Sequence, residues 1–209
     1  MALARPAATR LLAAVLAVCA AAAGLWLARG GSAPPPVQTA TLYPDDFPPV
    51  AEFTLYAADG TPWNRDALAG RWSLIFFGFT HCPDVCPMTL HTLAGVWRDL
   101  EPEQRERLRV VFVSVDPERD RGARLGEYLA YFSPDFLGLW GEDDALAPLI
   151  DSLGAVYHRE TAPDGTVTVD HSAGLFLLGP DTRPRAHFAA PHRRDALHHD
   201  LTLLLGAER

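Results

Sequence analysis

The chain is 209 residues long, carries a formal net charge of −8, and is 48% hydrophobic and 21% charged. A balance this acidic, with its acids dispersed and no polyanionic tail, argues against nucleic acid and against an anionic membrane surface as partners, because both repel such a surface. Three cysteines are present, and only Cys82 and Cys86 lie outside a hydrophobic N-terminal segment.

That segment, Leu11 to Ala28, is an apolar run preceded by Arg5 and Arg10 and closed by Arg29. It is just long enough to span a bilayer and longer than the apolar region of an ordinary signal peptide. Cys19 follows Val18, a poor residue before a lipoprotein cleavage site, and the chain stays hydrophobic beyond it. We expect an uncleaved transmembrane anchor at 11–28, with residues 1–10 in the cytoplasm and the remainder on the extracytoplasmic, periplasmic side of an inner membrane. Residues 29–44, rich in Gly, Ser and Pro and including Pro34-Pro35-Pro36, read as a semi-rigid tether. Residues 45–209 suit one domain.

Within that domain, Phe53–Tyr56 and the turn Asp59-Gly60-Thr61 suggest an opening hairpin. The apolar and aromatic run Trp72 to Phe79 reads as a buried strand, and Val85, Leu93, Val96, Trp97 and Leu100 have helical spacing, with a helix expected from about Pro87 to Leu100. Cys82 and Cys86 therefore sit where a strand turns into a helix. There the helix dipole and free N–H groups favour anions, so both thiols are expected to ionise easily. A spacing of four residues brings the two sulfurs to one side of the first helical turn. A purely structural disulfide is disfavoured, because closing so short a loop removes little unfolded-state entropy. Thiol redox chemistry and metal binding remain, distinguished by whether a third ligand arrives from elsewhere.

Arg109–Val115 reads as another buried strand, and helices are expected at Arg121–Phe132, Ala145–Leu153 and Arg194–Leu205. Ala155–Arg159 and Thr166–Val169 flank Pro163-Asp164-Gly165, a hairpin signal. Of the eight histidines, His171 stands directly before the core-strand run Leu175–Leu178, at its mouth and well placed to face the cysteine turn. Taken alone, such a loop histidine is more often an ordinary polar surface residue. His187, His192, His198 and His199 read as surface cover. Strands alternating with helices indicate an α/β sandwich with a largely parallel centre. No internal repeat is present.

The segment Phe77-Gly78-Phe79-Thr80-His81-Cys82-Pro83-Asp84-Val85-Cys86-Pro87, the segment Val113-Ser114-Val115-Asp116-Pro117-Glu118-Arg119-Asp120, and Asp170-His171-Ser172, in this order, resemble the Sco/SenC family of membrane-anchored copper chaperones. The resemblance extends over about residues 45–207. It implies a thioredoxin-like fold, with a central mixed sheet flanked by helices, that binds one copper ion through Cys82, Cys86 and His171. It also implies service to cytochrome c oxidase, with partners among that oxidase's subunits or assembly factors and a copper donor protein. Two departures are minor: the chain has no lysine among its eighteen basic residues, and Leu175 and Phe176 stand where family members often carry a tyrosine.

Two thiolates and an imidazole form a soft, low-coordinate set suited to Cu(I), with Cu(II) tolerated through the nitrogen. A closed zinc site usually takes four ligands, and one cysteine pair does not supply them. Asp84 reads either as a group tuning the site or as an aspartate complementing the helix dipole; His81 and Met88 are not taken as ligands. Two functions follow from the same atoms. A metallochaperone, not an enzyme, needs Cys82, Cys86 and His171 together. A thiol-disulfide oxidoreductase that reduces the cysteines of a metal-receiving partner needs only the cysteines, although Cys-x-x-Cys is its usual spacing. A peroxidase acting through an exposed thiolate is a distant third.

Overall fold

A computed structural model describes residues 13–21, 36–161 and 167–207. The chain divides into two compact units, residues 1–36 and 37–209. In the first, residues 13–21 form helix α1 with Val15, Leu16 and Val18 exposed. Among the described residues no helix is long and apolar enough to cross a membrane. Residues 1–12 and 22–35, which include the segment expected in the cytoplasm, both ends of the expected anchor and most of the expected tether, lie outside the described residues, as does the turn expected at Pro163-Asp164-Gly165.

The second unit is built on a mixed eight-stranded sheet with the order β1-β10-β9-β4-β5-β6-β2-β3. Its centre is β4 (Trp72–Gly78), buried at every residue, as a near-continuous apolar strand covered on both faces must be. β5 (Leu108–Ser114) runs parallel to β4, in register from Trp72↔Leu108 to Gly78↔Ser114. Parallel neighbours need a crossover. Helices α3 (Val85–Asp99) and α4 (Pro102–Arg107) supply it. Helix α5 (Ala123–Ala130) makes the next crossover, to β6 (Leu137–Trp140), parallel to β5.

On the other side of β4 lie β9 (Leu175–Leu178) and β10 (Pro184–Phe188), both antiparallel to their neighbours, and α7 (Arg194–Ala207) follows them to pack against α3. A βαβ unit and a ββα unit sharing one sheet in this way make the thioredoxin-like core. The parallel part is limited to β4, β5 and β6, so the sheet is less parallel than strand–helix alternation suggests. β6 and β10 escape the sequence reading because a glycine interrupts Leu137-Gly138-Leu139-Trp140 and because the β10 segment, Pro184-Arg185-Ala186-His187-Phe188, opens on a proline and alternates over only five residues. The opening hairpin is present as β2 (Thr54–Ala57) and β3 (Pro62–Asn64), which turn at Gly60 (φ +83°) and lead into α2 (Arg65–Leu68). Helix α6 (Asp143–Leu153) packs against β2, and β7 (Tyr157–Thr161) with β8 (Val167–His171) forms a separate two-stranded sheet.

The folded unit also reaches back into the segment read as tether. Residues 40–42 form β1 (Ala40–Leu42), antiparallel to β10. Its anchor is Asp200 of α7, fully buried, whose carboxylate accepts the backbone N–H groups of Gln38 (2.7 Å), Thr39 (2.8 Å) and Ala40 (2.9 Å). Burial alone raises a carboxyl pKa, but these N–H groups and the Thr39 hydroxyl outweigh it and hold Asp200 below the usual value.

Candidate metal centre

β4 ends at Gly78, and a tight turn in which the Cys82 N–H donates to Phe79 O (3.2 Å) delivers the first cysteine. Cys82 precedes Pro83, and the residue before a proline is kept out of the helical region. It therefore stands outside α3, whose N-cap is Asp84, and not within the first helical turn as the spacing suggests. Cys86 is the second residue of α3; Pro87 follows at a position where a missing N–H leaves nothing unsatisfied. The loop turns back so that Cys82 Sγ accepts the Cys86 backbone N–H at 3.4 Å and caps the helix. Asp84 makes no side-chain cap bond and is exposed, as is Met88.

Cys86 is buried beneath this loop, and Gly78 makes room for it. A Cβ at Gly78 would lie 2.8 Å from Cys86 Sγ and 2.7 Å from the Phe112 ring. Facing the sulfur is His171, whose Nε2 lies 3.3 Å from Cys86 Sγ. Its Nδ1 lies 3.1 Å from Ser172 O; a carbonyl only accepts, so Nδ1 carries the proton and the Nε2 lone pair is directed to the thiols. Phe76 and Phe79 contact the imidazole edge-on, with ring centroids at 6.0 and 5.8 Å, and fix its orientation. One ligand atom from each of Cys82, Cys86 and His171 lies within 4.8 Å of the others. His171 ends β8 and is not the loop histidine its sequence suggests. The hairpin carrying it is tied to the main fold by polar contacts: Arg159 Nε donates to Val115 O (3.1 Å), Tyr157 OH donates to Asp143 (2.8 Å), and Arg159 pairs with Asp143.

The two thiols do not ionise alike. A hydrogen bond from Cys86, assisted by the backbone N–H groups of Asp84 and Cys86, outweighs burial and pulls Cys82 down to about 5. Cys86 is pushed well above the usual thiol range by its bond to the Cys82 thiolate and then by burial. Two negative sulfurs this close cannot both form in a desolvated pocket, so the expectation of two easily ionised thiols is corrected to one thiolate and one retained proton.

The Asp116–Asp120 segment acts as a brace. Fully buried Asp120 accepts the backbone N–H (2.8 Å) and hydroxyl (2.6 Å) of Thr80, at the root of the cysteine loop, and the Ser114 hydroxyl (2.7 Å). Asp116 pairs with Arg119, whose guanidinium lies over the Phe79 ring at 5.9 Å. Asp116 and Asp120 also gather near His81, but their oxygens are already engaged, and His81 itself contacts Thr80 and Arg124. His192 Nε2 donates to Ala173 O (2.9 Å), steadying the chain just after His171. His187 stacks on Phe176, and both His187 and His192 are held neutral by burial, so these two are more than surface cover. The sequence marks the Val113–Asp120 segment only through the family resemblance and gives no sign of the roles of Asp120 and His192, because both act through contacts remote in the chain.

The SCO1/SenC family model matches residues 44–206. A Stutzerimonas stutzeri protein with copper binding in its name is 38% identical over 160 residues, covering 77% of this chain and 78% of its own. Among solved structures, Bradyrhizobium japonicum ScoI with copper bound superposes with a TM-score of 0.67 at 34% identity, over 74% of this chain and 98% of its own. Yeast Sco1 with copper bound gives 0.70 at 26% identity, over 77% and 90%. Three motifs in register, a thioredoxin-like core and this match over residues 44–206 place the chain in the SCO1/SenC family.

Proposed function

We propose that this chain binds a single copper ion as cargo through Cys82 Sγ, Cys86 Sγ and His171 Nε2 and passes it on in the assembly of cytochrome c oxidase. The observation that carries this reading is the convergence of two sulfurs and an oriented imidazole nitrogen within 4.8 Å. A soft set of this kind favours Cu(I), and copper-bound relatives at 34% and 26% identity support the choice of metal. Membrane anchorage by 11–28, with the second unit on the extracytoplasmic side, belongs to the same proposal and rests on the apolar run alone. Cys86 is buried whereas Cys82 and His171 are half-buried, so the site meets solvent through those two, as cargo requires.

The test is copper stoichiometry of the reduced chain in a non-ionic detergent. We expect one Cu(I) per chain, lost in Cys82→Ser and in Cys86→Ser; tight stoichiometric binding in either variant would overturn the assignment. His171→Ala should lose Cu(II) far more than Cu(I), because imidazole suits the harder ion better.

The proximity of the two sulfurs favours a second reading, thiol-disulfide exchange. Here the two thiols reduce a partner disulfide to two thiols and become a Cys82–Cys86 disulfide, so electrons and protons balance. The two readings part at His171→Ala. A copper carrier loses oxidase assembly when copper is scarce, whereas a reductase, with both thiols intact, keeps it.

A further inference from the structure

At the opposite end of the sheet from the cysteines, roughly 20 Å away along β4 at the usual strand rise, lies a cleft of about 860 Å³. Arg71, Arg105 and Arg109 line it, with Trp63 and Trp97 as its aromatic walls. The three guanidinium groups are held in place by backbone carbonyls: Arg71 donates to Leu108 O (2.7 Å) and Arg105 O (3.1 Å), Arg105 to Trp97 O and Arg98 O (3.4 Å each), and Arg109 to Ala67 O (2.7 Å). None of the three ion-pairs with a carboxylate among the described residues. Arg65, Arg121, Arg159, Arg193 and Arg194 each do.

Two acids also line the cleft: Asp135 accepts the Trp97 indole N–H at 2.9 Å, Glu106 is exposed on α4, and neither pairs with the three arginines. Arg109 lies over the Trp63 ring at 5.5 Å, and its Nε is buried with no acceptor. A buried donor without a partner is costly and is usually matched by a ligand or water. Burial, and then the like charge of Arg71, disfavour the charged form of Arg109. In a chain of net charge −8, three arginines against two acids give the cleft a net positive lining.

We propose that this cleft is a binding site for a phosphate-type oxyanion on a small molecule or lipid headgroup. Guanidinium forks match such oxygens bidentately, and the indoles offer a flat apolar wall to whatever carries them. This goes beyond copper handling and does not depend on it.

The full chain in non-ionic detergent is titrated with inorganic diphosphate, following tryptophan fluorescence and heat. One saturable site in the sub-millimolar range is expected, weakened at least tenfold in Arg109→Gln and in Arg71→Gln, and unchanged in Arg98→Gln outside the cleft. Arg71 is exposed, so its variant keeps the test decisive if Arg109→Gln fails to fold. Copper stoichiometry should be the same in all of them. Two further probes identify the source, and tighter binding of either one supports the site: adenosine monophosphate over diphosphate points to a free aromatic phosphate, and water-soluble short-chain phosphatidic acid points to a lipid headgroup. No saturation by millimolar diphosphate, or equal affinity in both cleft variants, would overturn the proposal and leave the arginines as helix-end caps only.

Discussion

Cys82 and Cys86 are chemically the same group, yet the fold gives them opposite properties. The difference is set by which sulfur lies under the loop and which caps the helix. Of the two site cysteines, iodoacetamide should therefore label only Cys82 in the reduced, metal-free chain, apart from the exposed Cys19 of the first unit. The rate should rise with pH through a midpoint near 5, since the thiolate is the nucleophile and Cys82 is pulled down to about 5. Cys86 should react only after denaturation. Mass mapping of the labelled cysteine across pH 4 to 9 checks this, and a midpoint near 8.5, the value of an unperturbed thiol, would refute it. The pair itself was legible in the sequence, because a strand–helix junction is a local pattern. Its asymmetry was not, because the dipole argument treats each thiol alone and the coupling of two charges is a property of their distance.

Among the elements, β1 shows how far a short strand depends on a remote residue. Three residues cannot hold themselves on a sheet edge, and Asp200 secures them from a position 160 residues away. Asp200→Asn should remove at least one of these bonds and part of the charge assistance, costing about 1–3 kcal/mol in thermal unfolding. The pH dependence has a definite sign. The folded carboxyl lies below its ordinary value of 3.8, so its contribution is complete above that value and is lost as pH falls through the folded pKa. The gap between wild type and variant should therefore be widest near neutrality and close below about pH 4; a constant gap would assign the loss to packing. No local pattern announces such a bond, which is why residues 40–42 read as tether. The position of His171 was hidden for the same reason. Its approach to Cys86 spans 85 residues and depends on the β7–β8 hairpin folding back, so the family motifs identified it where spacing did not.

For the whole molecule, the site joins two halves of the second unit, and a ligand bound only by the folded form stabilises all of it. Copper at a thousandfold excess over its Kd adds about 4 kcal/mol. The reduced chain should show a raised Tm with Cu(I), and Cys86→Ser should show no shift. A chain oxidised to the Cys82–Cys86 disulfide should show none either, because a sulfur in a disulfide has no negative charge to give the ion. Calorimetry of the three samples checks this, and an equal copper shift in the oxidised chain would refute it. The sandwich itself was legible from strand–helix alternation, whereas the antiparallel flanks were not, because pairing direction leaves no mark on a short strand.

His171 rides on a hairpin that shares no backbone ladder with the main sheet; Val169 and the imidazole itself pack on the core, and Arg159, Tyr157 and Asp143 supply the polar ties. Asp143 is 60% exposed, and a pair so placed is weakened by added electrolyte, while the sulfurs, fixed by a buried strand and a helix, are not. The ligand sphere is thus unequal in its response to ionic strength. Molar salt should speed copper loss to a competing chelator in the native chain, and Asp143→Asn at low salt should reproduce that rate and remove its salt dependence. The nitrogen lets go first.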